Sequence, residues 1–248
     1  MPTSLHRTLQ RIADVEGWMT DDQAGRLWGA AATVAPTGQI VEIGSFRGRS
    51  TIVLATAAAP GVKVVAIDPH AGNDRGPQEF EGFAVEAETD HEAFHANLER
   101  CDVHDRVRHI RAFSEAAHPD VDGEIDVLYI DGAHRFGPAR HDIVSWGDRV
   151  RTGGVMLIHD SFSSVGVTLA ILTTLVPGRR FRYHGRSGSL TEYKAVTELP
   201  LTARAYNAAH QLASLPWFVR NVIIKALILA RLGRLTRLLG HRQATWPY

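Results

Sequence analysis

The chain has 248 residues, 44% of them hydrophobic and 22% charged, ordinary values for one folded α/β domain with additions. Its single cysteine, Cys101, excludes an intrachain disulfide framework and a multi-cysteine metal site, which makes a reducing cytoplasm the expected compartment. Net charge is zero, but the seven Lys and Arg after residue 198 have no acid among them. They leave 20 bases against 27 acids in the body, a balance that argues against nucleic acid as a substrate.

Met1 to Asp14 lacks the apolar core of a signal peptide. Residues 4–16 and 21–35 read as two helices of a cap over residues 1–36, with Thr20 or Asp21 as N-cap of the second and Gln23 contributing to it. Between them, Trp18 and Met19 either close over a bound molecule or anchor the core.

Next comes Gln39-Ile-Val-Glu-Ile-Gly-Ser-Phe-Arg-Gly-Arg-Ser50, a β-branched run that stops at a glycine and leads into a helix: strand, tight turn, helix. Gly44 and Gly48 allow close approach of the backbone to a ligand, and the unpaired N–H groups near Ser50 favour anionic or polar groups. The spacing Glu42-x-Gly44-x-x-x-Gly48 lacks the Gly-x-Gly-x-x-Gly of a dinucleotide cradle, which disfavours a nicotinamide oxidoreductase. The following strand, Lys63 to Asp68, ends in a carboxylate placed to accept hydrogen bonds from ribose hydroxyls. Together, the turn and Asp68 resemble the first two motifs of class I S-adenosylmethionine-dependent methyltransferases; a generic nucleotide-binding turn is the alternative. The resemblance implies a cofactor held by Glu42, Gly44, Ser45, Gly48, Ser50 and Asp68, with Ser114 and Asp131 further along the chain.

Residues 69–91 are irregular and rich in acids (Asp74, Glu79, Glu81, Glu86, Glu88 and Asp90), the pattern of a lid, a substrate wall or a solvated loop. A helix over 92–100 and a strand over 106–112 follow. Ser114 and Glu115 then stand where the resembled family commonly contacts adenine. The fourth and fifth strands, 125–131 and 153–160, each end in a carboxylate, so Asp131 and Asp160 should meet at one rim of the sheet. Two acids there repel unless something positive, such as a divalent metal, lies between them. A helix over 162–175 and a hairpin of 180–184 with 190–196 complete the pattern. The expected fold is a Rossmann-like class I methyltransferase domain over 37–198: a mostly parallel seven-stranded sheet with a C-terminal antiparallel hairpin.

The extension, 199–248, contains Leu215 to Leu232, apolar nearly all round. That marks a helix packed on its own domain or on a twin subunit of a homodimer, or, through its basic side chains, peripheral on a membrane surface. The uninterrupted apolar run reads as shorter than the ~18 residues a span requires.

Tyr129-Ile-Asp-Gly-Ala-His134 with Ile158-His-Asp-Ser161 resembles the metal-dependent branch of O-methyltransferases, most closely enzymes acting on sugar hydroxyls in macrolides, rhamnosyl glycolipids and polymethylated polysaccharides. The resemblance implies Asp131 and Asp160 as ligands of magnesium, or alternatively manganese, and His134 as general base. His159 stands where relatives commonly carry an acid. Imidazole suits manganese, zinc or iron, so His159 is either a borderline ligand, a residue that leaves more water on the metal, or one facing away. Asp142 reads as a helix-surface or orienting group, and His70 as a residue able to line the pocket. The implied reaction is methyl transfer from S-adenosylmethionine to a hydroxyl of a saccharide or glycoside. A catechol or phenol acceptor, and a non-catalytic membrane-peripheral binding protein, are the competing readings.

Overall fold

The computed structural model describes residues 4–72 and 84–241. Helix α1 (Leu5–Arg11) starts at Ser4, whose hydroxyl accepts from the Arg7 N–H, and α2 (Asp21–Ala32) starts at a reciprocal cap in which Thr20 and Gln23 satisfy each other's backbone N–H groups. Then β1 (Gln39–Ile43), α3 (Arg49–Ala57), β2 (Lys63–Ile67), α4 (Ala84–Arg100), β3 (Val107–Ile110) and β4 (Ile125–Ile130) alternate strand and helix with one exception, the direct passage from β3 to β4. After β4 come α5 (Phe136–His141), continued by a wider π-type turn through Trp146, β5 (Val150–Ile158), α6 (Val165–Thr174), β6 (Phe181–Ser187) and β7 (Leu190–Ala195).

The seven strands form one sheet in the order β3-β2-β1-β4-β5-β7-β6. Strands β1 to β5 are parallel, and β7 runs antiparallel to both β5 and β6, which gives the expected Rossmann-like methyltransferase architecture. Alternate residues feed two apolar layers, because side chains of a strand covered on both faces point to each in turn. Ile40, Val64 and Val127 join α1 to α3 on one side; Val41, Val65, Leu128 and Met156 join α5 and α6 on the other. The chain order reverses between β1 and β4, so their carboxyl ends diverge into a crevice, the usual ligand position in such sheets.

Several boundaries differ from expectation. Helix α4 begins at Ala84, so residues 84–91 of the expected irregular segment are helical. Asp74, Glu79 and Glu81 lie outside the described residues. Strand β5 stops at Ile158, and Asp160 adopts a left-handed conformation (φ 53°) in the turn beyond it; α6 accordingly starts at Val165.

The C-terminal extension departs most. It forms α7 (Leu201–Leu212) and α8 (Leu215–Leu229), but the only buried residues of α8 are Asn221 and Ile224, while Val219 (53%) and Leu229 (61%) are exposed. An apolar helix was expected to be packed away; this one covers the domain along a narrow strip. By length and composition, 201–229 is apolar enough to cross a membrane, with mean hydropathy 1.6 despite Lys225, although the chain turns at Ala213–Ser214.

Gly44 sits at φ 84°, and a Cβ there would overlap the Asp131 carbonyl across the β1–β4 seam. Gly44→Ala is expected to destabilise the fold by roughly 2–4 kcal/mol, measurable as a lowered urea midpoint.

Candidate active site

The glycine turn, the ends of β2, β4 and β5, and α8 enclose a cavity of about 1050 Å³. Gly44, Ser45, Ser50, Asp68, Ser114 and Asp131 line it, as do His134, His159 and Asp160. Glu42 and Gly48 do not. Glu42 is fully buried beneath the turn and accepts hydrogen bonds from the Ser50 and Thr51 hydroxyls, so it holds the start of α3 in place without facing the cavity. Gly48, the N-cap of α3, sits at φ 84°, a conformation an L side chain rarely adopts, and a Cβ there would press on Phe94 at 3.2 Å. Both glycines are thus required by the protein's own backbone.

Asp68 accepts from the Ser45 and Phe46 N–H groups through Oδ2 and from the His70 N–H through Oδ1, each at 2.8 Å. This locks the glycine turn to β2 and leaves about one lone-pair position of the carboxylate for a ligand. Ser114 donates to Asp142 Oδ1 at 2.5 Å. Asp142 is buried on the cavity wall, not on a helix surface, and burial pushes its pKa up to about 6 despite the Ser114 hydrogen bond.

At the adjoining rim the two strand-end acids do meet. One ligand atom each from Asp131, His134 and Asp160 lies within 4.8 Å of the others. His134 Nε2 is 2.8 Å from Asp160 Oδ2, and His159 Nδ1 is 3.1 Å from Asp131 Oδ1 and 3.5 Å from Asp160 Oδ2. Tyr129 donates its hydroxyl to Asp131 Oδ2 at 2.7 Å. The far side of His159 meets Gln23 Oε1 at 3.3 Å, an oxygen fixed because the Thr20 N–H also donates to it. His159 Nε2 is therefore the donor, and Nδ1 points between the acids.

Residues 41–161 match a methyltransferase domain. Among solved structures, the chain is similar to cofactor-bound Rv0187 from MTB (22% identity, 78% of this chain and 89% of that one, TM-score 0.56). It is also similar to the O-methyltransferase TomG from Streptomyces achromogenes in complex with SAM (16%, 77% and 89%, 0.52). A third is an O-methyltransferase from Bacillus cereus in complex with SAH (18%, 77% and 90%, 0.54).

The electrostatics of the matched domain follow from burial. Desolvation alone would lower the pKa of His134 and His159, but the carboxylates of Asp160 and Asp131 outweigh it and raise both, His159 well above the usual imidazole range. Desolvation likewise opposes ionisation of Asp160, yet the two imidazoles hold its pKa well below normal. A positive charge between the acids, required on sequence grounds, is thus available from His159 itself.

Sequence reasoning missed three parts of the site. Val222, Lys225, Ala226 and Leu229 of α8 form one cavity wall. Lys225 Nζ donates to the Ser163 carbonyl at 2.9 Å, and burial lowers its pKa. Gln23, expected only as part of a cap, also donates to Ser189 on the β6–β7 turn at 3.2 Å and so ties α2, β5 and the hairpin together. Arg49 reaches back to the Ile12 and Val15 carbonyls and anchors the cap. Trp18 and Met19 divide the two roles proposed for them: Trp18 stands exposed against Phe46 at 5.2 Å, Met19 is buried, and both line the cavity. Two acids of the acid-rich segment are engaged within the chain, Asp90 by Arg47 and Glu88 by Arg111.

Burial pushes the Glu42 pKa from 4.5 up to about 8 against the hydrogen bonds from Ser50 and Thr51. The folded chain keeps this proton where the unfolded chain releases it, so stability falls as pH rises across that window, by at most about 1.4 kcal/mol per pH unit. Glu42→Gln should remove that slope, and urea unfolding at pH 5 and pH 8 should show the variant gaining on the wild type at the higher pH.

Proposed function

We propose that the chain transfers a methyl group from S-adenosylmethionine to a hydroxyl of a saccharide or glycoside. The observation that carries this is the convergence of Asp131, His134 and Asp160 on the cavity already lined by Gly44, Ser50 and Asp68. The volume, about 1050 Å³, accommodates a nucleoside cofactor together with an acceptor. Solved structures of similar fold are O-methyltransferases, which favours oxygen as the accepting atom.

Each residue has a task in that reaction. Ser50 and the N–H groups opening α3 suit the cofactor's carboxylate, the remaining lone pair of Asp68 suits a ribose hydroxyl, and Ser114 with Asp142 suits the base. S-adenosylmethionine, when bound, supplies an activated sulfonium methyl. The carboxylates of Asp131 and Asp160 fit a divalent cation of the magnesium or manganese kind, which takes oxygen ligands and water. Such a cation would acidify the acceptor hydroxyl and offset the carboxylate field that holds a proton on His134. His134, whose Nε2 Asp160 holds at 2.8 Å, would then take the hydroxyl proton through Nδ1. Holding acceptor and cofactor in one enclosed site aligns oxygen, carbon and sulfur.

A second reading has an observation of its own. Trp18, Phe46 and Phe113 line the cavity and offer flat apolar contact to a phenol or catechol ring. An acceptor screen of mono- and disaccharides against catechols separates the two. The α8 wall, apolar toward the cavity and carrying exposed Val219 and Ile223 outside it, favours an amphipathic glycoside met at an anionic membrane surface, with a second copy of the chain as the competing cover.

Under this reading His134→Ala lowers kcat by about 10²- to 10⁴-fold. Asp160→Ala lowers it by about 10³-fold or more, with S-adenosylmethionine affinity retained in calorimetry. Chelator removes activity and magnesium restores it; turnover indifferent to chelator would instead assign the cationic role to His159. Sedimentation with phosphatidylglycerol vesicles should recover the protein, and Val219→Asp with Ile223→Asp should abolish that recovery, whereas a shift to a monomer on gel filtration would identify a dimer face.

A further inference from the structure

Outside the cavity rim, five histidines gather where α4 crosses the β2–β3 edge. His91 and His95 lie one turn apart on α4, so they share a face of that helix. His109 reaches the same place from β3 and His70 from the turn after β2. The ring centroids are 4.8 Å apart for His91 and His95, 5.4 Å for His91 and His109, 5.4 Å for His95 and His109, and 5.1 Å for His70 and His109. One ring nitrogen from each of His91, His95 and His109 falls within 4.8 Å of the other two. His104 borders the group at 5.6 Å from His95.

Packing alone is a poor account of this cluster. The Nε2 atoms of His70 and His109 are buried and have no hydrogen-bond partner among the described residues. Burying a polar atom without a partner is destabilising, and two such atoms beside a third and a fourth imidazole call for a partner. His91 carries the other mark of a ligand: its Nδ1 is 3.5 Å from Glu88 Oε1, and Glu88 is itself held by Arg111 at 2.6 Å. A carboxylate that fixes one ring nitrogen turns the other toward a metal and raises its basicity.

We propose that His91, His95 and His109 bind one zinc(II) ion, with a water in the fourth position and His70 packed beside it, at a site separate from the Asp131–His134–Asp160 cluster. An all-imidazole donor set suits zinc and is a poor match for magnesium or calcium, which take oxygen. Tetrahedral zinc–nitrogen bonds of about 2.0–2.1 Å place the nitrogens ~3.4 Å apart, so side-chain movements of about 1 Å bring the three nitrogens, now within 4.8 Å of one another, into one shell. Burial keeps His70 and His95 below the usual imidazole range and His109 at about 4, which leaves their lone pairs available. The ion would tie α4 to the sheet edge. His70, in ring contact with His109 at 5.1 Å, lines the cavity two residues after Asp68, so the tie would brace the wall beside the ribose position.

The test uses untagged full-length protein carrying Asp131→Ala and Asp160→Ala, which removes the other metal candidate. Calorimetric titration with zinc chloride should give one ion per chain. Adding His91→Ala and His95→Ala, both half-exposed positions, should weaken binding by on the order of 100-fold or more with the far-UV circular dichroism unchanged, and Glu88→Gln alone should weaken it by about 10- to 100-fold. On the unsubstituted chain, cobalt(II) should produce the intense visible absorption of tetrahedral coordination, lost in His91→Ala/His95→Ala. Absence of zinc binding in the Asp131→Ala/Asp160→Ala protein, or binding and cobalt spectra indifferent to loss of His91 and His95, overturns the proposal.

Discussion

Two carboxylates brought to one rim by adjacent parallel strands are the constraint around which the site is built. Asp131 and Asp160 cannot stay ionised at close quarters in a partly desolvated cleft without compensating charge. The chain supplies it from two imidazoles and sets the geometry of those imidazoles from outside. Gln23 fixes the orientation of the His159 ring, and the left-handed backbone at Asp160 aims that carboxylate at His134. Because Gln23 is also half of the α2 cap and a partner of Ser189, the N-terminal helices and the terminal hairpin are coupled to the charge cluster. A disturbance at Thr20 would thus reach His159 through a single side chain.

The other half of the cavity is built on the opposite principle, with backbone groups in place of ionised side chains. Gly44 lets β1 approach β4, Asp68 collects three N–H groups, and Glu42, buried and shifted toward its protonated form, collects two hydroxyls. The acids of the glycine turn therefore hold the turn in shape first, with Asp68 alone still presenting a carboxylate to the cavity. Such preorganisation means that little need be rearranged when a nucleoside binds.

The C-terminal extension explains how a mostly polar rim comes to have an apolar wall. Helix α8 lies across the mouth with Val222, Ala226 and Leu229 inward, anchored by Lys225 to the Ser163 carbonyl and by Arg220 to the carbonyl of Leu239. Its remaining apolar surface stays outside, and no acid follows residue 198 to moderate the basic charge. Acceptor contact and surface contact are thereby placed on two faces of one helix.

The sequence by itself determined the sheet, the glycine turn and the strand-end acids, because each is a local pattern: β-branched runs that stop at glycine or aspartate have few other ways to fold. It placed Gly44, Asp68, Asp131 and Asp160 on one cavity because the carboxyl ends of parallel strands share an edge, and Ser50, Ser114 and His134 through the family resemblance. Tertiary structure alone decided which way side chains face and what they meet across the chain. His159 became the bridge between two acids only through Gln23, 136 positions away, and Asp142 left the surface through Ser114. Helix α8 kept an exposed apolar face because only a strip of it finds the domain, and four histidines from three elements converged where no spacing announces them. Periodicity records how a residue is oriented within its own element; the partner that sets its charge and tautomer is fixed by packing between elements distant in the chain.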